Sequence, residues 1–282
     1  MTLVTAERLV KLSQYKHLQN SWYYIAATAL ATCNQPEEIS KIYHMALQMT
    51  KKDFIANVDT ANEAIEFGMK VREINARNYV RTRKYQLDVP IFDLSNTISK
   101  PNFNAKLITL KTKEALLKSV PIGGLPKFIN AMIDFHNSVP ENLLYDKGYE
   151  SCRSFIIKAD SIKKEREKGQ DLWNLVYGKI AQKVASNISY SSKDLWEFIL
   201  YHVYSSLLSY DKYLAKNETS LVLIACLIPQ DVNPQLKGHL RGALNTGCTR
   251  EQIESARDMT IEICQWCGVK WKDEVANLKP KL

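Results

Sequence analysis

Between Asn233 and Gly268 the chain reads N-P-Q-L-K-G-H-L-R-G-A-L-N-T-G-C-T-R-E-Q-I-E-S-A-R-D-M-T-I-E-I-C-Q-W-C-G, and almost every residue in it specifies a helix, a helix end or an inward face. Asn233 can cap a first helix, with Pro234 at the opening position, where its missing N–H costs nothing. Leu236, Leu240, Ala243 and Leu244 then recur at helical spacing, and Gly247 can take the left-handed conformation that ends the helix. Thr249 with Gln252 three residues on makes a capping box for a second helix. That helix turns Ile253, Ala256, Met259, Ile263 and Trp266 inward and closes at Gly268. His239 lies three residues after Leu236 and four before Ala243, so it points to the apolar side.

The rest of the chain reads the same way, and the fold class is all-α. Ten glycines and nine prolines in 282 residues are too few for a turn-rich β protein. Thr5 can cap an opening helix. Ser21–Cys33 is apolar on most sides and suits a buried helix. Pro36 with Glu37 and Glu38 starts a third, carrying Ile39, Ile42, Tyr43, Ala46 and Leu47 inward, with His44 off that face. A long helix is expected from Asp59 to about Arg81 and an extended connection from Leu87 to Pro101. A helix over Ala105–Lys118 follows, then a break at Val120–Pro126 and a short helix carried by Phe128, Ile129, Met132 and Ile133. Beyond Val139–Asn142 a charged helix leads into Leu172, Leu175 and Val176. Ser191–Ser192 caps another, with Leu195, Phe198, Ile199, His202, Val203 and Leu207 on one side. Both halves share an order of apolar helix, polar corner, striped helix and glycine break, which predicts two fused units, 1–140 and 155–282.

The stretch H-L-R-G-A-L-N-T-G-C-T-R-E-Q-I-E resembles the signature of the carboxymuconolactone decarboxylase family, roughly H-x-R-G-A-L-N-x-G-x-T-x-E-E-I. The likeness extends upstream through Leu221–Pro229 to about Arg166. It implies two fused helical units of the carboxymuconolactone decarboxylase and AhpD-like type, the first divergent and standing in for a neighbouring copy. It also implies a homo-oligomer, since family members form trimers or hexamers. His239 occupies the family's histidine position and Glu197 matches one of its glutamates. A histidine near neutral pKa beside a carboxylate could stabilise an enolate-like intermediate and move its proton. His202 joins the candidate catalytic set from the same apolar stripe, and Arg241 is a candidate anion partner for substrate. Two departures count against lactone decarboxylation: Tyr201 stands where a second glutamate is common, and Tyr204-Ser205 replaces a tryptophan-glycine step. The AhpD-like relatives carry C-x-x-C before the histidine, and here those positions are Val232 and Gln235. Cys264-Gln-Trp-Cys267 lies instead at the end of the following helix, where the dipole opposes a thiolate and packing explains the pair better.

The formal charge is +8, but the basic residues are spread along the chain with no nucleic-acid motif, so no nucleic acid is expected. No window approaches the ~18 apolar residues of a membrane span. Six scattered cysteines without a secretory leader fit reduced thiols. No cofactor and no metal set is indicated. The chain ends Pro280-Lys281-Leu282, which keeps the basic and leucine positions of a terminal peroxisomal address read by an import receptor. With the likeness to the fungal peroxisomal branch of the family, this places the protein in the peroxisome, with the cytoplasm as the alternative. Three functions remain open. The first is an enzyme or former enzyme handling a small acidic or carbonyl compound near His239. The second is a thiol oxidoreductase built on Cys264 and Cys267, and the third a structural or partner-binding protein that kept the fold.

Overall fold

Thr5 accepts a hydrogen bond from the Arg8 amide and starts α1 (Ala6–Ser13), the first of a series of helices in a computed structural model that describes residues 2–80, 87–98, 100–101, 103–144, 153 and 159–278. Helix α2 (Trp22–Thr32) follows, and every one of its residues is buried. Its four alanines let neighbours approach closely. Those neighbours are α3 (Ile39–Gln48), α5 (Ala105–Gly123), α6 (Leu125–Ser138), α10 (Lys216–Leu227) and α12 (Arg250–Trp266). Helices from both halves of the chain therefore share one core around α2. Among the described residues every regular element is helical, with two isolated bridges, Lys51 to Thr97 and Lys100 to Phe103. None of these helices is long and apolar enough to cross a membrane.

Polar corners turn the chain after α2 and α10. Asn34 and Asp231 both sit at φ 58°, a left-handed conformation that short polar side chains tolerate best after glycine. From the first corner the chain enters α3, which is buried along its whole length. His44 is therefore interior as well, against the expectation that it falls off the inward face. Helix α4 (Val58–Val80) covers that side of α3, and Gly68 makes room for the ring: an added Cβ would lie 2.5 Å from His44 Cδ2.

Helix α5 does not stop at Val120. It runs through Pro121 to Gly123, held on three sides by α2, α6 and α10. The break comes at Gly124, whose φ of 100° only glycine adopts easily. On α6 the buried residues include Phe128, Ala131 and Phe135. Ile129 and Ile133 are 48% and 54% exposed. The helix carries two apolar stripes, and the larger rings take the interior, Phe135 against Tyr43 at 5.2 Å between centroids.

The second half opens with α7 (Ala159–Tyr177), α8 (Ala181–Ser191) and α9 (Lys193–Glu197), which passes into a π-helix over Phe198–Leu208. The Ser209 amide donates to the Tyr204 carbonyl at 2.9 Å and Ser205 Oγ to the Leu200 carbonyl at 2.7 Å, each reaching five residues back. That wider winding rephases the face. Leu200, Val203, Tyr204, Ser205 and Leu208 are buried, whereas Leu195 and Phe198 are about half exposed and His202 is exposed. The inward stripe expected from α-helical spacing is corrected accordingly. Together with Leu172, Trp173, Val176, Ala181, Ala185 and Leu223, the buried apolar residues of the π-helix form a second cluster.

The last hairpin, α11 (Asn233–Asn245) and α12, matches its reading closely. Gly247 and Gly268 have φ of 100° and 73°, and both bonds of the Thr249–Gln252 capping box are present. Asn233 is the exception. Val232 holds the cap position without a side-chain bond, while Asn233 clamps the segment after α12, accepting from the Ala276 amide and donating to the Glu274 carbonyl.

At Gly169 an added Cβ would sit 2.6 Å from Ser205 Cα and 2.7 Å from its amide nitrogen, both backbone atoms that cannot swing aside. Gly169→Ala should therefore destabilise the protein by roughly 1–3 kcal/mol despite alanine's better helix propensity. Urea unfolding of both proteins measures this, and a neutral or stabilising change would mean α7 and the π-helix are not in backbone contact.

Candidate functional site

The R-G-A-L-N run after His239 is used largely for docking α11 on α7. A Cβ at Gly242 would lie 2.7 Å from Val176 Cγ1, so the glycine lets the two helices touch. Three residues on, Asn245 Nδ2 donates to the Val176 carbonyl at 2.9 Å, satisfying an acceptor in the last turn of α7. His239 lies on this seam. It is 9% exposed, and its ring meets the edge of Tyr177 with centroids 6.2 Å apart. Burial holds its pKa down at about 4, so at neutral pH the imidazole is uncharged. It is poorly matched to proton transfer there, because an effective acid or base titrates near the working pH.

The other candidates differ from it in burial. Glu197, His202 and Arg241 are all exposed. His202 leans against Phe198 with centroids 5.7 Å apart. Among the described residues, no hydrogen bond or ion pair links any two of the four candidate side chains. Tyr201, at the position of the missing glutamate, is half-buried with the Arg166 guanidinium 4.3 Å over its ring. Tyr204 is buried, its ring T-shaped to Trp173 at 4.9 Å, and burial raises its phenol pKa well above the usual value. Tyr201, Trp196, Trp173 and Lys193 line a groove of about 650 Å³ between α7, α8 and the π-helix, and His239 is not among its walls.

The thiols show a grouping that sequence reading missed. Cys264 is buried and Cys267 half-buried at the end of α12. Cys33, the residue that caps the C-terminus of α2, meets them in space: its Sγ is 3.9 Å from that of Cys264. Hydrogen bonding with Cys264, then burial, pushes the Cys33 thiol up to about 12, and the Cys267 thiol is raised by its bond to Cys33 and by burial. No spacing rule relates residue 33 to residue 264. Only the packing of α12 on α2 brings them together.

An all-α chain with this histidine-bearing hairpin belongs to the carboxymuconolactone decarboxylase family, whose family model matches residues 200–277. Over nearly its full length it is similar to Peroxisomal protein 2 of Saccharomyces cerevisiae, 36% identical over 295 residues that cover 98% of this chain and 99% of that one. It is also similar to Peroxisomal protein 2 of Schizosaccharomyces pombe, 38% identical over 168 residues, covering 60% of this chain and 75% of the relative. No solved structure matches the chain.

The His239 environment has a measurable consequence. With a folded pKa of about 4 against 6.5 unfolded, the unfolded chain binds the proton first as pH falls. The stability contribution is intact above 6.5 and is lost as pH drops from 6.5 through 4. Between pH 7 and 5 this amounts to about 2 kcal/mol. His239→Leu should remove that part of the slope in urea unfolding at the two pH values. An unchanged slope would mean the ring is solvated in the folded protein.

Proposed function

We propose that the protein is a peroxisomal member of the family that has kept the helical scaffold without a working acid–base site, and that it acts by associating with other protein surfaces, including copies of itself. The observation that carries this reading is the separation of the candidate residues: His239 is buried and held neutral, while Glu197, His202 and Arg241 face solvent. Tyr201 in place of a glutamate points the same way. Association is supported by apolar side chains left on the outside. Leu125, Ile129 and Ile133 follow one another at four-residue spacing along α6, and Leu195 and Phe198 flank the start of the π-helix. The fused-unit reading of 1–140 and 155–282 draws support from the two left-handed corners, each leading into a helix with a buried histidine, His44 or His239.

Two measurements test the proposal. The purified protein should show no lactone decarboxylation above buffer, and light scattering should give an assembly that Ile129→Asp with Ile133→Asp weakens. Turnover that His239→Ala abolishes would restore the enzyme reading, and a monomer unaffected by the aspartates would remove the association.

The relatives' names and the Pro280-Lys281-Leu282 ending, which lies outside the described residues, support a peroxisomal address read by an import receptor. Deleting Lys281 and Leu282 should move an N-terminally fluorescent fusion from puncta to the cytosol. Puncta that persist would mean the carrier signal lies elsewhere.

A further inference from the structure

We propose that Cys33 and the C-x-x-C of α12 form a peroxide-sensitive staple, in which Cys33 is joined to Cys264 by a disulfide that links the ends of α2 and α12. The inference is independent of the association reading above. It rests on placement: Cys33, Cys264 and Cys267 converge from two helix ends far apart in sequence, with Cys33 Sγ already 3.9 Å from Cys264 Sγ.

Access and assistance are unequal around the cluster. Cys33 and Cys267 are half-buried, whereas Cys264 is buried. Lys127 donates to the Thr32 carbonyl at 2.9 Å, and this fixes an ammonium beside Cys33. That cation favours the Cys33 thiolate during attack on a peroxide. The Cys33 sulfur displaces hydroxide from hydrogen peroxide, and the thiol proton and hydroxide leave as water, giving Cys33 sulfenic acid. Cys264 sulfur then attacks Cys33 sulfur and displaces its hydroxyl, which takes the Cys264 proton and leaves as a second water. Two thiols and one peroxide become one disulfide and two waters, with two electrons passing from sulfur to peroxide oxygen. A dithiol reductant reverses the change.

The raised thiol pKa values keep the first step slow, so the site is a rarely thrown switch and not a turnover catalyst. Its product ties α2 into place across a very long loop, which stabilises the fold by restricting the unfolded chain.

The full-length protein, treated with hydrogen peroxide and then blocked with an alkylating agent, should yield a peptide pair joining Cys33 to α12, mainly through Cys264, in non-reducing mass spectrometry. Its unfolding temperature should rise, and dithiothreitol should return it to the starting value. Cys33→Ser should fold, since serine is small and the position half-buried, and should lose both the linked pair and the temperature rise. Should Cys33→Ser prove unstable, Cys264→Ser with Cys267→Ser gives the same readout from the other side. A Cys33–Cys267 pair also supports the staple. Oxidation that yields only Cys264 joined to Cys267, only sulfinic acids, or no disulfide would overturn it, as would a temperature rise retained in Cys33→Ser.

Discussion

A helix that offers water no face must be enclosed by other helices, and α2 imposes that condition on the whole chain. Its residues are large and apolar at the start, Trp22, Tyr23, Tyr24 and Ile25, and mostly alanine thereafter. The wide end fills space against Phe103, whose ring is T-shaped to Tyr23 at 6.3 Å. Along its length α2 meets α5, α10 and α12. Enclosure has a cost that is visible in the polar atoms. The Trp22 indole N–H and the Thr28 hydroxyl are buried without a hydrogen-bond partner, and each such group costs about 1–3 kcal/mol. Apolar burial around α2 is large enough to carry both.

Charge has to be enclosed as well, because α5 and α10 bring lysines and glutamates into the same interior. Lys118 is fully buried and spends its ammonium protons on the Leu208 carbonyl, at 3.1 Å, and the Thr219 hydroxyl, at 2.8 Å. Leu208 is the last residue of the π-helix, so this lysine secures an acceptor that the winding leaves open. Glu114 lies 3.9 Å from the Lys118 ammonium and is gripped by both terminal nitrogens of Arg153. Lys111 pairs with Glu218, which also accepts from the Tyr24 hydroxyl at 3.2 Å. Desolvation still lowers the Lys118 pKa to about 8. The network therefore orients α5, α10 and the π-helix relative to one another more than it stabilises them, which is the usual balance for buried ions.

What could be read from the chain follows from which interactions are local. Caps and left-handed glycines are local, so Thr5, Ser192, the Thr249–Gln252 box, Gly247 and Gly268 all act where residue chemistry put them. The inward stripe of α12 was legible because one face is apolar and the other charged. Where two stripes compete, as on α6, periodicity could not choose between Ile129 and Phe128, and the partner helices decided. The π-helix was illegible for a different reason. Its close seat on α7 depends on Gly169 admitting the Ser205 backbone, a contact between residues far apart in sequence that no spacing rule contains. The shift of phase along the π-helix moved His202 from the expected interior to the surface. Cys33 was hidden in the same way, since its partners lie at the other end of the chain.

Packing accounts for much of the family signature in this chain. Of its residues in this chain, Gly242 sets the distance between α11 and α7, Asn245 caps a carbonyl of α7, and Gly247 turns the corner into α12. Each of these contacts constrains the residue type whatever happens at His239. A histidine on that seam is in turn acceptable to folding only while neutral, because burial desolvates it and the Tyr177 ring beside it offers no counter-charge, and its depressed pKa expresses that. Packing alone therefore accounts for Gly242, Asn245 and Gly247 of H-x-R-G-A-L-N-x-G in this chain. Elsewhere, Glu197 and Arg241 are exposed and Tyr201 is half-buried under the Arg166 guanidinium. Among the described residues, no hydrogen bond or ion pair links Glu197 or Arg241 to the buried His239 imidazole.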